Sequence, residues 1–193
     1  MSGELILVLG GSGSGKSAWA ERTLLERARG RAVYLATMEN AGEEAAARIE
    51  RHRAMRARHG AAAGRRFVTV ERPVDIGGAP VRPGDWVLLE DLGNLLANEI
   101  WSPQGAGERA VERILEGIGS LLDRASLLVV VSGDVFGDGG GYDPETAQYI
   151  RRLGELHRAL IAMGGELVEI VCGIAVEPQK TVVFSPAVDY NTE

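Results

Sequence analysis

A glycine-rich loop between an apolar segment and a helix-forming segment constrains this chain more than any other feature. Residues 10–17 read Gly-Gly-Ser-Gly-Ser-Gly-Lys-Ser and match the pattern G-x-x-x-x-G-K-[ST]. The apolar residues before the loop predict a buried strand, and residues 16–29 predict a helix. In this setting, backbone N–H groups turn onto phosphate oxygens at the positive end of the helix dipole. The motif therefore predicts a site for the phosphates of ATP or GTP.

The residue types in the loop have separate chemical roles. Lys16 supplies a mobile positive charge to the β and γ phosphates, and the Ser17 hydroxyl can ligate magnesium. Lys16 is one of only two lysines among the 21 basic residues of the chain, which indicates that a lysine is required here. A glycine-rich turn that matches by chance is the alternative. The predicted nucleotide-binding residues are Gly10, Gly11, Ser12, Gly13, Ser14, Gly15, Lys16 and Ser17.

Short apolar runs alternate with amphipathic stretches along the chain, which is typical of a layered α/β fold. We predict strands at residues 4–9, 32–36, 67–71, 86–90, 127–132 and 167–171. Helices are predicted at residues 16–29, 42–58, 92–101, 107–124 and 144–163, and an edge strand at residues 181–184. Together with the loop, this order predicts a P-loop NTPase fold of the RecA-like kind. We expect a single domain over residues 1–193, with a mostly parallel sheet flanked by helices.

The amino-acid composition argues against some classes of function. The net charge of −6 argues against general binding of nucleic acid, since proteins that bind phosphate backbones carry a basic surplus. No apolar run approaches the roughly 20 residues that cross a bilayer. We therefore expect a cytoplasmic protein without a membrane span. The single cysteine, Cys172, has no disulfide partner within the chain and is expected in the core.

Two carboxylates end the predicted strand at residues 86–90. In P-loop proteins a carboxylate on a strand beside the P-loop strand holds magnesium directly or through water. Either Glu90 or Asp91 fits that position, and we assign the role to Glu90. The alternative is a plain helix start, because acidic residues are favoured at the positive end of a helix dipole.

An arginine-rich segment carries a histidine at helical spacing. Arg48, His52 and Arg56 are spaced i, i+4 and i+8, so on a helix they share one face. Flanking cations lower the pKa of an imidazole and keep it neutral, and they also neutralise a phosphate that it attacks. The segment therefore suits a phosphate-attacking nucleophile. A solvated arginine-rich helix face is the alternative reading.

The motifs in their order resemble one enzyme family. After the P-loop come Tyr-Leu-Ala-Thr at residues 34–37, Ala-Ala-Arg-Ile at residues 46–49 with His52, and Leu-Leu-Glu at residues 88–90 with Asn98. This order is similar to that of the bifunctional adenosylcobinamide kinase / adenosylcobinamide-phosphate guanylyltransferase family. The resemblance implies phosphorylation of the aminopropanol hydroxyl of adenosylcobinamide, followed by transfer of GMP from GTP through a guanylylated histidine.

The resemblance also assigns residues and partners. It implies that His52 is the guanylylated histidine, which joins Lys16 and Glu90, assigned from the motifs above, as the predicted catalytic residues. Ser17 and Glu90 are then the magnesium ligands, and Arg48 and Arg56 bind the nucleotide. The implied partners are a nucleoside triphosphate and a corrinoid, and the implied assembly is a homotrimer.

The second half of the chain departs from the family pattern. Where the family has Ser-Asn-Glu-Val-Gly, residues 132–136 read Ser-Gly-Asp-Val-Phe, which keeps an acid and loses an amide. An Asn-Gln pair is replaced by His157 and Arg158. We expect His157 on a helix surface or packed locally, without a catalytic role. These departures leave two other readings open, a P-loop kinase of another small alcohol and a nucleotide-binding regulatory protein with altered catalysis.

Overall fold

The described residues form one seven-stranded sheet. The computed structural model describes residues 3–39, 64, 66–136 and 141–176. The strands are β1 (Glu4–Gly10), β2 (Ala32–Ala36), β3 (Phe67–Glu71), β4 (Trp86–Glu90), β5 (Leu127–Gly133), β6 (Glu166–Val171) and β7 (Ile174–Val176). Their spatial order is β3-β2-β4-β5-β1-β6-β7. All neighbours among β1 to β6 are parallel, and β7 pairs antiparallel with β6. The predicted α/β fold with a mostly parallel sheet is confirmed.

Helices cover both faces of this sheet. They are α1 (Lys16–Arg27), α2 (Leu92–Trp101), α3 (Ala110–Leu122) and α4 (Pro144–Ala162), with short 3-10 turns at Ile76–Gly78 and Gly107–Arg109. The 3-10 turn before α3 accounts for the later start of that helix than predicted. No helix in the described part of the chain is long and apolar enough to span a membrane. The helix predicted at residues 42–58 and the strand predicted at 181–184 lie outside the described residues.

Strand alternation divides the core into two layers, because successive side chains point to opposite faces of a sheet. On one face, Ile6, Val8 and Val129 pack with Leu24 and Leu25 of α1. The other face packs against the remaining three helices and has a core that includes Leu7, Leu35, Leu89, Val130, Leu95, Leu96, Ile114, Ile118, Leu153 and Leu156. β1, β2, β4 and β5 are buried along most of their length and read as continuous apolar runs, so the sequence located each of them within one residue at each end.

The strand β7 was not predicted, and Cys172 does not lie in the core as expected. Val171 and Ile174 are paired across a two-residue turn formed by Cys172 and Gly173. Both turn residues have positive φ, 50° and 81°, as the tight turns that match the strand twist require. The turn leaves Cys172 exposed. The expectation of burial followed the general behaviour of cysteine and missed this turn because only Gly173 signals it.

Candidate nucleotide-binding site

The P-loop lies at the carboxyl edge of the sheet, between β1 and α1. Gly10 is the last residue of β1, and Lys16 is the first residue of α1. Gly13 and Gly15 have φ values of 72° and 90°, a region that side chains other than glycine's rarely adopt. The crevice outside the carboxyl ends of parallel strands is where α/β proteins bind ligands. The predicted strand, loop and helix are therefore present in the order that phosphate binding requires.

A second segment, the β6–β7 turn, braces this loop. The N–H of Gly173 donates a 2.8 Å hydrogen bond to the carbonyl of Ser14. A Cβ added to Gly10 would lie 2.5 Å from the Ser14 Oγ and 2.8 Å from the carbonyl oxygen of Ile170. Glycine is thus needed at position 10 for close packing against the loop and β6. Sequence reasoning did not find this brace, since hydrogen bonds between backbone atoms leave almost no residue signature.

Lys16 reaches back over the loop that precedes it. Its Nζ donates a 3.2 Å hydrogen bond to the carbonyl of Gly11, and its backbone N–H donates to the Ser14 Oγ at 3.4 Å. The ammonium bond to Gly11 is solvent-exposed, so the charge is available to an anion. This placement agrees with the role predicted for Lys16 at the β and γ phosphates.

The hydroxyl of Ser17 donates a 2.6 Å hydrogen bond to Oε1 of Glu90. Ser17 lies in the first turn of α1, and Glu90 is the last residue of β4. The structure thus brings together the two residues that we predicted as magnesium ligands.

The strand that carries Glu90 is not beside the P-loop strand, contrary to our expectation. In the sheet, β5 lies between β1 and β4, and Val131 of β5 is the register partner of both Val8 and Glu90. The two side chains still meet because α1 crosses the sheet and packs on β4 and β5 as well as on β1. Ser17 therefore reaches the Glu90 carboxylate because α1 packs across these strands, and not because β1 and β4 are paired.

Burial changes the protonation of Glu90. The pKa of Glu90 is raised from 4.5 to about 8, mainly by desolvation and also by nearby Asp91 and Glu21, while the Ser17 hydroxyl and Lys16 oppose the shift. Oε2 of this side chain is buried and has no hydrogen-bond partner among the described residues. A buried, unpartnered carboxylate oxygen beside a serine hydroxyl fits a hard cation such as magnesium, which takes oxygen ligands.

Asp91 has a different task from its neighbour. Its Oδ1 accepts a 2.7 Å hydrogen bond from the backbone N–H of Asn94, and its Oδ2 accepts from the Asn94 side chain at 3.3 Å. These bonds make Asp91 the N-cap of α2, which satisfies a backbone donor that the helix leaves open. Of the two acids, Glu90 is therefore the one whose geometry suits a metal.

Thr37 and Asn98 hold the strand ends together behind the two acids. The buried Thr37 hydroxyl donates to the carbonyl of Asp91 and accepts from its N–H, both at 2.8 Å. The Asn98 side chain donates to the carbonyls of Thr37 at 2.7 Å and Pro73 at 3.1 Å. Both residues belong to the motifs that carry the family resemblance, yet the sequence did not reveal that their role is to position the end of β4.

A buried histidine lies under the end of β5. His157 of α4 is only 8% exposed, and its Nε2 lies 2.9 Å from the Oγ of Ser132. Burial lowers its pKa to about 4, although Asp134 opposes the shift. The ring also packs edge-on against Phe136. The expectation of local packing is correct and that of a helix surface is wrong, because the helical position faces the sheet.

The three residues of the arginine-rich segment, Arg48, His52 and Arg56, lie outside the described residues. Among the residues that are described, no group of three or more His, Cys, Asp or Glu side chains is arranged to hold a metal. A cation at Ser17 and Glu90 would therefore draw its other ligands from phosphate oxygens and water, as magnesium does in nucleotide sites.

Comparisons with known proteins agree with the resemblance. The family model of cobinamide kinase / cobinamide phosphate guanyltransferase matches residues 6–177. The bifunctional adenosylcobalamin biosynthesis protein CobU of Escherichia coli is 29% identical over 187 residues, covering 90% of this chain and 98% of that protein. The protein of the same name from Salmonella typhimurium is 28% identical over 185 residues, with the same two coverages.

Proposed function

Because this chain belongs to the cobinamide kinase / cobinamide phosphate guanyltransferase family, we propose that its P-loop performs the kinase step and that His52 carries the guanylyl group. The protein is an enzyme of cobalamin biosynthesis with kinase and guanylyltransferase activities. The observation that best supports the kinase step at the P-loop is the 2.6 Å hydrogen bond between Ser17 and Glu90 beside the loop.

For the kinase step, the described residues supply binding and charge. The N–H groups of the loop and the ammonium of Lys16 bind and orient the β and γ phosphates. Ser17 and Glu90 would hold magnesium, which neutralises charge on these phosphates when bound. The Ser17 hydroxyl keeps one carboxylate oxygen of Glu90 in place, and the other oxygen is left for the ion or its water ligands. The acceptor is the hydroxyl of adenosylcobinamide.

For the guanylyl step, His52 attacks the α-phosphorus of GTP with its neutral imidazole, and pyrophosphate leaves. Arg48 and Arg56 stabilise the charge that develops on the phosphate. The GMP group then passes to adenosylcobinamide phosphate. The spacing of these three residues and the family membership support the assignment.

A labelling experiment tests the role of His52. The protein is incubated with magnesium and α-labelled GTP, and its intact mass is measured. We expect a gain of one GMP, and the bond to be stable in alkali and labile in acid, as a phosphoramidate is. His52→Ala is expected to abolish the label, whereas His59→Ala, a matched histidine deletion seven positions on, is expected to retain it.

The arginine variants refine the same experiment. Arg48→Ala and Arg56→Ala are expected to slow labelling without abolishing it, since they stabilise charge and do not form the bond. Label that persists in His52→Ala, or that maps to His59 or His157, would contradict the assignment. A folded wild-type protein that binds GTP and never labels would favour a plain kinase or a regulatory protein.

The cellular location and the oligomeric state of the enzyme are two further proposals. We infer that the enzyme works in the cytoplasm, where nucleoside triphosphates are available, and that it forms a homotrimer, as the resemblance implies. Sedimentation of the purified full chain tests the assembly, and a monomer at micromolar concentration would contradict it.

A further inference from the structure

The carboxylate of Asp134 lies at the edge of the sheet where the phosphates bind. Gly133, the last residue of β5, is the register partner of Gly10, the first residue of the P-loop. The N–H of Asp134 donates a 3.0 Å hydrogen bond to the carbonyl of Gly10, which extends the ladder by one residue. The backbone of Asp134 is therefore tied directly to the phosphate loop.

One carboxylate oxygen of Asp134 accepts a hydrogen bond, and the other is open. Oδ1 accepts a 3.1 Å hydrogen bond from the N–H of Phe136, and the residue is exposed. Oδ2 accepts no hydrogen bond from any residue in the described part of the chain. A carboxylate of this kind is fixed in place and still has a free lone pair for a proton.

The other acids around the carboxyl edge are engaged elsewhere. Glu90 holds the Ser17 hydroxyl, and Asp91 caps α2. Asp143 caps α4 through the N–H groups of Glu145 and Thr146. Phosphoryl transfer to an alcohol also needs a group that accepts the hydroxyl proton and orients the attacking oxygen, a role that an aspartate fills in protein kinases.

From this arrangement we infer that Asp134 is the catalytic base of the kinase step, an inference that rests on the proposed kinase activity. The oxygen of the substrate hydroxyl bonds to the γ-phosphorus, and the bond from that phosphorus to the β,γ-bridging oxygen breaks. The nucleoside diphosphate leaves with the electron pair. The hydroxyl proton passes to Oδ2 of Asp134. In the guanylyl step the nucleophiles are the neutral imidazole of His52 and then an ionised phosphate. Neither carries a proton that must be removed before attack, so Asp134 has no part in that step.

Asp134→Asn separates the two activities. The amide keeps an oxygen that can accept from Phe136, so the loop is preserved while the proton acceptor is lost. We expect the kinase kcat with ATP and adenosylcobinamide to fall by about 10²-fold or more, in the range of general base catalysis. The KM for ATP and the rate of GMP transfer to supplied adenosylcobinamide phosphate are expected to change less than threefold, an order-of-magnitude limit set for a group outside nucleotide binding.

Two further variants complete the test. Asp134→Glu keeps a carboxylate and is expected to retain more kinase activity than Asp134→Asn. Asp123→Asn makes the same change at an exposed residue that follows α3, and is expected to match wild type. Full kinase activity in Asp134→Asn, or equal loss of both activities, would overturn the inference. A wild-type enzyme that does not phosphorylate adenosylcobinamide would instead contradict the proposed function before any variant is compared.

Discussion

The hydroxyl of Ser17 and the Oε1 of Glu90 lie 2.6 Å apart, although 73 residues separate them in sequence. Ser17 lies in the first turn of the helix that follows the phosphate loop, and Glu90 ends a strand two positions away in the sheet. This contact brings a hydroxyl and a carboxylate together next to the phosphate loop. On the proposed assignment, a cation held by these two groups would lie beside the phosphates of the bound nucleotide.

Glu90→Gln should impair turnover more than nucleotide binding. The carboxylate mainly organises charge at the transferring phosphate, so we expect kcat of the kinase step to fall by about 10²-fold or more and nucleotide Kd to change by only a few fold. The measurement is steady-state kinetics at saturating magnesium beside calorimetric titration of the nucleotide.

Asp91 provides the contrast for that result. Asp91→Ala removes the N-cap of α2 and is expected to lower the free energy of unfolding by about 1 kcal/mol. Asp91→Asn keeps a good capping side chain and should be nearly silent in both kinetics and stability. If Asp91→Asn abolishes turnover and Glu90→Gln does not, our choice between the two acids is wrong.

Binding of magnesium and nucleotide should release a proton near pH 7. The pKa of Glu90 is raised to about 8 by burial, so the free enzyme carries the proton at neutral pH. A bound cation favours the charged form and lowers that pKa. Calorimetry in buffers of different ionisation enthalpy should detect release of nearly one proton at pH 7 and almost none at pH 9.

The raised pKa of Glu90 should also make the free energy of unfolding depend on pH. The folded pKa of Glu90 lies above its unfolded value of 4.5, so its contribution is complete below pH 4.5 and is lost as pH rises toward 8. Glu90→Gln should remove this dependence, along with the proton release. Proton release of equal size in the Gln variant would show that another group is responsible.

Lys16→Ala should weaken nucleotide binding and leave the fold intact. The hydrogen bond of the ammonium to the nearby carbonyl of Gly11 is solvent-exposed, and it is the one that Nζ makes to a residue in the described part of the chain. A charge-assisted hydrogen bond contributes about 1.5–3 kcal/mol, which corresponds to a loss of roughly 10- to 100-fold in affinity. Arg29→Ala, which removes an exposed cation beyond the far end of α1, is the matched control. Unchanged affinity in a folded Lys16→Ala protein would contradict the assignment of the loop.

The contribution of His157 to stability should fall as pH drops from about 6.5 to 4, opposite in sign to the contribution of Glu90 where the two ranges overlap. The pKa of His157 is lowered from 6.5 to about 4 by burial, so the unfolded chain binds a proton in this window that the folded protein does not. The slope is on the order of 1 kcal/mol per pH unit. Urea unfolding from pH 4 to 8 measures it as the difference in free energy of unfolding between the wild type and His157→Gln, which should decrease as pH drops below 6.5. A slope unchanged in that variant would assign the effect to other groups.

Much of the fold was predictable because burial on both faces of a parallel sheet produces uninterrupted apolar runs. The runs at residues 86–90 and 127–132 are examples, and each ends within one residue of the observed strand. The strand β7 was not predictable in this way. Its three residues are exposed, and its turn uses a cysteine at positive φ, which no ordinary turn signal announces.

The site was predictable where chemistry requires a residue type at a fixed spacing. The glycine-rich loop is such a case, and the structure has it between a buried strand and a helix, as the sequence predicts. Contacts between distant segments were not predictable. The buried pair of Ser132 and His157 brings together residues 25 positions apart, and the brace from Gly173 to Ser14 joins backbone atoms. The sheet order, which separates β1 from β4, is also a global property that no local pattern encodes.

β5 lies between the strand that leads into the P-loop and the strand that ends at Glu90, so its side chains help to set the distance between these two parts of the site. Val131 is fully buried, faces the α1 layer and lies in register with Glu90, so its volume helps to set how far α1 rests from the end of β4. Magnesium accepts oxygen ligands only near 2.0–2.1 Å, whereas calcium tolerates about 2.3–2.6 Å. If Ser17 and Glu90 hold the ion as proposed, the choice between magnesium and calcium would depend on the volume of Val131.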